Sequence, residues 1–145
     1  MKFWDSSALV PLIIEQECTK RSQHIWKESA NAPLVWWGSS IECLSAIARL
    51  EREQKIDSKI FDQAQSALRR LSEVWNEIQP SNTLRDKSRR LLRVHPLHAA
   101  DALQLASALI ASEDLSAPVT FVCFDERLGE AARREGFPVL DAQGS

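Results

Sequence analysis

The chain has 145 residues, a length typical of one domain with its own core, and we predict a single domain over residues 1–145. Hydrophobic residues make up 44% and charged residues 26%, which excludes a disordered or fibrous chain. No apolar run is long enough to span a bilayer and no signal-peptide pattern opens the chain, so we expect a cytoplasmic protein with no membrane contact. The net charge of −2 provides no basic excess, so any nucleic-acid binding must depend on how the charges are distributed.

Short apolar strands alternate with helices along the chain. In order, the patterns predict a strand at 2–4, helices at 8–14 and 19–29, a strand at 33–37, helices at 41–53, 57–78, 82–94 and 97–109, a strand at 118–124, a helix at 126–135 and a strand at 138–140. Helix caps are expected at Ser6 or Ser7, Ser39 or Ser40, Asp57, and Ser81 or Asn82. This alternation predicts an α/β fold with a mostly parallel central sheet flanked by helices.

One predicted helix carries a carboxylate within its apolar face. In steps of three and four residues, that face reads Leu97, Asp101, Leu105 and Ala108. An isolated ionised group among apolar side chains is costly, so Asp101 is expected to be paired, protonated or bound to a metal ion. Pairing with a buried arginine, or with His98 one turn earlier, is the structural alternative.

Three further acids stand where they could share a site with Asp101. Asp5 and Asp125 each follow directly after an apolar strand, and Glu42 lies in the first turn of the helix after the second strand. Sites in open α/β sheets form outside the carboxyl ends of the strands, so we predict that the four acids meet there. Four carboxylates in one cleft cannot all stay ionised without a cation, and hard oxygen ligands select Mg²⁺ or Mn²⁺. Such sites align an activated water with a phosphodiester.

Each acid also has a purely structural interpretation. Asp5 and Asp125 could simply cap the helices that follow them, and Glu42 could interact with the dipole of its own helix. The joint placement of the acids is harder to explain in this way than the position of any one of them. The metal-site hypothesis therefore depends on the group as a whole.

Four segments together resemble the motifs of PIN-domain proteins, in the family's order and over essentially the whole chain. The opening MKFWDSSALV resembles the family's apolar strand followed by Asp-x-Ser/Thr-Ala. The remaining motifs are matched by residues 39–46, 97–109 and 121–128. The resemblance is nearest to the short, single-domain VapC-type toxins of type II toxin–antitoxin pairs.

The resemblance implies a PIN-like fold and a Mg²⁺- or Mn²⁺-dependent endoribonuclease that hydrolyses RNA phosphodiester bonds. Asp5, Glu42, Asp101 and Asp125 match the family's catalytic and metal-binding acids. Ser7 matches a hydroxyl residue that supports the first of these acids. The family also implies a homodimer and a small cognate antitoxin that covers the acidic cleft.

One position departs from the family pattern. The family usually has Thr or Ser two residues before the last acid, where this chain has Cys123. A thiol is a much weaker hydrogen-bond partner, so the orientation or metal affinity of Asp125 should be affected. If the site has lost its metal, the alternative is a non-catalytic PIN-like protein whose acidic pocket receives a basic residue from a partner chain. A phosphatase with Asp5 as nucleophile is disfavoured, because the second acid of an Asp-x-Asp pair is replaced by Ser7.

The helix predicted at 82–94 carries a stripe of positive charge. Arg85, Arg89 and Arg93 recur every four residues and therefore lie on one face. Such a stripe beside an acidic pocket would suit RNA, because it holds the backbone while the metal acts on the scissile phosphate. The alternative is a solvated helix face with Asp86 as a local ionic partner.

Trp36 and Trp37 adjoin at the end of a predicted strand. Neighbouring side chains of a strand point to opposite faces, so at least one indole should point away from the core. Its surface role stays open between stacking on an RNA base, contact with another protein chain and simple partial burial.

Overall fold

Five short strands form the central sheet of the computed structural model, which describes residues 1–144. In chain order the strands are β1 (Lys2–Trp4), β2 (Leu34–Trp36), β3 (Asn76–Ile78), β4 (Thr120–Val122) and β5 (Val139–Leu140). They are arranged as β3-β2-β1-β4-β5, and every neighbouring pair is parallel. The prediction of an α/β fold with a mostly parallel sheet is therefore confirmed.

Seven helices in residues 1–144 cover the two faces of this sheet. They are α1 (Ser6–Ile13), α2 (Thr19–Lys27), α3 (Ser39–Arg52), α4 (Ser58–Ser72), α5 (Asn82–Val94), α6 (Ala99–Asp114) and α7 (Glu126–Arg134). No helix of this described part combines the length and the apolar character needed to cross a membrane.

The alternation of side chains along β1 and β4 divides the core into two layers. Phe3 and Phe121 are fully buried with residues of α5, α6 and α7, and their rings stack with centroids 5.6 Å apart. Trp4 and Val122 are buried on the other face with residues of α1, α3 and α4. Because both faces of these strands are buried, neighbouring residues along each strand are apolar instead of alternating with polar ones.

The strand β3 was missed by the sequence analysis, which extended one helix from 57 to 78. The helix α4 ends at Ser72, and residues 76–78 pair with β2 instead. The backbone N–H of Asn76 donates to the carbonyl of Pro33 at 2.8 Å. Trp75 fits the apolar spacing of the predicted helix, but it lies beyond α4, and its side chain is apolar because it is buried in the core beside the sheet. Pairing with β2 therefore overrides the helical pattern here.

The helix caps agree with the sequence at some positions and differ at others. Asp57 and Ser81 cap α4 and α5 as predicted. Asp5 itself, rather than a serine, caps α1 by accepting the N–H of Ser7, and Gly38 occupies the N-cap position of α3. Both differences move the helix start closer to the end of the preceding strand.

Replacing Asp57 with alanine should lower the free energy of unfolding by about 1 kcal/mol, because the N–H of Ile60 loses its acceptor at 2.8 Å. Urea denaturation followed by circular dichroism measures this change. Asp57→Ser keeps an acceptor and should lose much less. Asp62→Ala, an exposed position inside the same helix, should change stability by less than about 0.5 kcal/mol. Equal losses for Asp57→Ala and Asp57→Ser would contradict the capping role.

Candidate active site

Asp5 follows directly after β1, and Asp125 stands three residues beyond the end of β4, the neighbour of β1 in the sheet. The N–H of Asp5 donates to the carbonyl of Val122 at 2.9 Å, so the two strands end at the same level. Each acid caps the helix that follows it. Asp5 Oδ2 accepts the N–H of Ser7 at 3.1 Å, and Asp125 Oδ1 accepts the N–H of Leu128 at 2.9 Å. Capping therefore fixes both carboxyl groups at the carboxyl edge of the sheet.

Glu42 lies in the first turn of α3, which begins at the carboxyl end of β2. Its two oxygens are held from different helices. Ser6 Oγ donates to Oε1 at 3.1 Å, and Gln104 Nε2 donates to Oε2 at 3.1 Å. Gln104 also donates to Ser39 Oγ at 3.1 Å and is fully buried. The direction of the Glu42 carboxylate is therefore set by α1 and α6 together.

The sequence analysis did not identify Ser6 and Gln104 as site residues. Gln104 stands three residues after Asp101 and so lies near it along α6. The sequence signal that could have identified Gln104 is its polar amide within an otherwise apolar stretch. The Oε1 atom of Gln104 is buried and has no hydrogen-bond partner among residues 1–144.

Asp101 lies half-buried in the first turn of α6. Its Oδ2 accepts the backbone N–H of His98 at 3.3 Å. Within the described chain it forms no ion pair at contact distance, and the charges of His98 and Arg127 both lower its pKa. The structure therefore shows no pairing with a buried arginine, whereas an electrostatic interaction with His98 one turn earlier is present.

The structure brings the four acids near enough for their charges to interact. The charges of Asp101 and Asp125 both act on Asp5. Glu42 is acted on by Asp5 and Asp101, and Asp101 by Asp125. The carboxyl edges of β1, β2 and β4 and the start of α6 therefore form one acidic neighbourhood.

Burial and mutual repulsion raise the pKa values of Asp5, Glu42 and Asp101. Burial raises the pKa of Asp5 to about 6, although the hydrogen bonds from Ser7 lower it in part. Burial and the nearby charge of Asp5 raise the pKa of Glu42 to about 7, against the effect of its two hydrogen-bond donors. Burial also raises the pKa of Asp101. A divalent cation would favour the ionised forms and offset this penalty.

The donor set suits a hard divalent cation. Carboxylate oxygens are the ligands that Mg²⁺ and Mn²⁺ prefer. In the part of the chain that the structure describes, no three His, Cys, Asp or Glu side chains converge closely enough to hold an ion. Mg²⁺ is usually bound by one or two carboxylates, with waters and substrate phosphates completing its coordination. The wider spacing of Asp5, Glu42, Asp101 and Asp125 is compatible with that mode of binding.

Cys123 lies beneath Asp5 rather than beside the Asp125 carboxylate. Its Sγ is 3.7 Å from Asp5 Oδ2 and 3.7 Å from Ser7 Oγ, and it donates to the backbone carbonyl of Asp125 at 3.3 Å. Burial raises the pKa of the Cys123 thiol, so the sulfur stays neutral. Ser7 contacts Asp5 through its backbone N–H, while its hydroxyl accepts the N–H of Phe124 at 2.9 Å. The thiol of Cys123 therefore affects the surroundings of the Asp5 carboxylate more directly than those of the Asp125 carboxylate.

The arginine stripe of α5 lies on the exposed face of the helix. Arg85, Arg89 and Arg93 are all exposed. Arg89 pairs with Asp86 at 3.3 Å, the local partner that the solvated-face alternative named. Leu92, on the same helix, is 44% exposed. An RNA-binding role for this stripe stays a prediction.

Trp36 and Trp37 diverge as the alternation of strand side chains predicts. Trp36 is buried and Trp37 is 51% exposed, with ring centroids 6.2 Å apart in an edge-on contact. A Cβ atom at Gly38 would lie 2.5 Å from the indole nitrogen of Trp36, so glycine is needed where β2 turns into α3. The close approach at Gly38 helps to keep Glu42 near the end of the strand.

Metal-free protein should lose stability as pH rises, because folding raises the pKa of Asp5 from 3.8 to about 6. The contribution of the protonated group is fully present below about pH 3.8 and is lost as pH rises through 6. Asp5→Asn removes this charge and keeps a capping oxygen. In EDTA we expect it to raise the free energy of unfolding near pH 8 by up to about 3 kcal/mol, with little change near pH 4.

Urea denaturation at several pH values measures this effect. Asp62→Asn, an exposed position on α4, is the matched control and should follow the profile of the native chain. Lower stability of Asp5→Asn than of the native chain near pH 8 would contradict the raised pKa of Asp5.

No protein-family model matches this chain, and no curated protein matches its sequence. Several solved structures share its fold. FitAcB from Neisseria gonorrhoeae is 13% identical with a TM-score of 0.73, and the match covers 99% of both chains. A toxin–antitoxin complex from Klebsiella pneumoniae is 15% identical with a TM-score of 0.63, and the match covers 98% of both chains. At these identities the likeness establishes the fold, and the chain has the α/β architecture with a parallel central sheet that its sequence predicts.

Proposed function

We propose that this chain is a Mg²⁺- or Mn²⁺-dependent endoribonuclease that acts as the toxin of a type II toxin–antitoxin pair. The observation that supports it is the gathering of Asp5, Glu42, Asp101 and Asp125 at one sheet edge, where their charges act on one another. The raised pKa values of Asp5 and Glu42 are typical of acids that retain their charge poorly without a cation. Such a site favours a substrate that arrives with a metal ion and a phosphate.

The chain's own residues would set the arrangement on which the reaction depends. A bound Mg²⁺ or Mn²⁺ supplies Lewis-acid activation of water and neutralises charge on the phosphate. Asp5 and Asp125 are fixed by the helices that they cap. Glu42 is oriented by its two donors, and Asp101 is held at the start of α6. All four positions lie on helix starts rather than on flexible loops, so the acids are well placed before substrate binds.

The toxin assignment draws support from the fold comparisons. One of the structures with this fold is a toxin–antitoxin complex from Klebsiella pneumoniae. A cognate antitoxin would then cover the acidic edge, most simply by placing a positive side chain among the carboxylates. We further propose a homodimer that acts on RNA in the cytoplasm.

A non-catalytic protein-binding role is the second candidate. Two observations favour it: the neutral thiol of Cys123 lies 3.7 Å from Asp5 Oδ2, and no three acids of the described chain converge to hold an ion. In that case the acidic edge would mainly receive a basic residue from a partner. Metal binding separates the two candidates.

Incubation of the purified protein with single-stranded RNA and Mg²⁺ should produce discrete fragments on a denaturing gel, and EDTA should abolish them. Asp5→Asn and Asp101→Asn should each reduce the cleavage rate by at least about 100-fold, because each removes a charge from the proposed metal site. Asp62→Asn, exposed on α4, should cleave like the native chain. Fragments that persist in EDTA would contradict the metal mechanism, and intact RNA in every reaction would contradict the nuclease.

Isothermal titration of the native protein with Mn²⁺ should show saturable binding, and Glu42→Gln should weaken it by at least about tenfold. The substitution keeps the size of the side chain and the acceptor oxygen for Ser6, so the fold should be retained. Absence of Mn²⁺ binding by the native chain, with cleavage also absent, would favour the non-catalytic candidate.

A further inference from the structure

Arg127 lines two hollows, and one of the four acids is part of the wall of the first. The first has a volume of about 650 Å³ and includes Asp125 in its wall. The second has a volume of about 120 Å³ and lies between α7 and the turn at His95 and Pro96. Arg127 is also among the charges that lower the pKa of Asp101. Its guanidinium therefore stands at the junction between the carboxylates and the second hollow.

One face of α7 borders the second hollow. Arg127, Glu130, Ala131 and Arg134 line it and follow the spacing of a helix face. Arg127 and Arg134 are two helical turns apart, a rise of about 10.5 Å along the axis. The positive charges of the two arginines thus face the same hollow at different distances from the acids.

Both arginines keep donors that a ligand can use. Arg127 is exposed and forms no hydrogen bond or ion pair with residues 1–144. Arg134 uses Nε on Glu130 Oε1 at 3.2 Å, and its side chain is 65% exposed. A guanidinium has five N–H donors in a fork that matches a phosphate group. The terminal nitrogens of both side chains are thus available to phosphate oxygens.

The acid nearest to the back of this hollow is already paired. Glu135 Oε1 accepts Arg90 Nη2 at 2.5 Å, and Glu135 Oε2 lies 2.7 Å from His95 Nε2. The Nδ1 atom of buried His95 has no partner among the described residues. Glu135 is paired with Arg90, so the charged side chains that line the hollow are Arg127 and Arg134 against Glu130, and Glu130 is itself paired with Arg134 at 3.2 Å. The hollow therefore favours an anion.

The positive stripe of α5 is a weaker place for the same ligand. Of the three stripe arginines, Arg89 is paired with Asp86 at 3.3 Å, while Arg85 and Arg93 are exposed and form no ion pair with residues 1–144. The stripe is weaker because of its position: no charge of α5 is among the main influences on Asp5, Glu42 or Asp101, whereas the charge of Arg127 acts on Asp101. A strand that must reach the carboxylates is therefore better guided by α7.

We propose that Arg127 and Arg134 bind two backbone phosphates of single-stranded RNA and guide the strand from the acidic edge along α7. The inference rests on the proposed ribonuclease function, because it defines the path of that substrate. A hollow of about 120 Å³ has room for a phosphate group.

Binding of a fluorescent single-stranded oligoribonucleotide, measured by anisotropy in EDTA, tests the path without cleavage. Arg127→Gln and Arg134→Gln should each weaken binding about tenfold at low salt, and each should make the slope of log affinity against log salt shallower by about 0.7. Arg127→Lys keeps the charge and should keep the slope. Arg69→Gln, exposed on α4, is the matched control and should bind like the native chain.

Native-like binding by both glutamine variants would overturn the proposal, and so would failure of the native chain to bind RNA. A larger loss for Arg85→Gln than for either α7 variant would assign the strand to α5 and overturn it as well. Cleavage in Mg²⁺ is scored separately. A chain that needs both arginines for binding but cuts no RNA would refute the nuclease and leave the phosphate path in place.

Discussion

The hydrogen bond from the N–H of Asp5 to the carbonyl of Val122 aligns the ends of the two central strands. Because β1 and β4 are parallel and in register, this contact brings Asp5 and Asp125 to the same edge and starts α1 and α7 immediately beyond it. The repulsion between the acids then follows from the backbone pairing rather than from any flexible arrangement of side chains. The acidic edge is in this sense a property of the sheet.

Such an edge is costly to fold, and the neighbouring helices show how the cost is limited. Asp5 is almost fully buried, yet it receives the N–H of Ser7, and Glu42 receives donors from both Ser6 and Gln104. These bonds favour the charged forms, while burial opposes them more strongly. Burial therefore leaves the charged forms of Asp5 and Glu42 insufficiently stabilised, and this is the physical reason to expect a cation or a positively charged partner at the acidic edge.

The sequence predicted the parts of the molecule that depend on local pattern. The strand after Met1 and the apolar strand before Asp125 could be recognised because both are buried on two faces. The edge strand β3 could not, because Asn76 and Glu77 are exposed and polar and become a strand only through pairing with β2. Gln104 was missed for a similar reason: its partner Glu42 is 62 residues away, and no local spacing encodes that contact.

The brevity of the strands has a consequence for how this fold can change. The strand β1 has only three residues, and Phe3 and Trp4 belong to opposite core layers. One inserted residue within β1 would exchange these two rings between layers, because strand side chains alternate with a period of two. An insertion that shifts Asp5 relative to β1 would therefore disrupt both core layers. Length changes are confined to the connections outside the sheet, and surface loops are where such proteins have room to diversify.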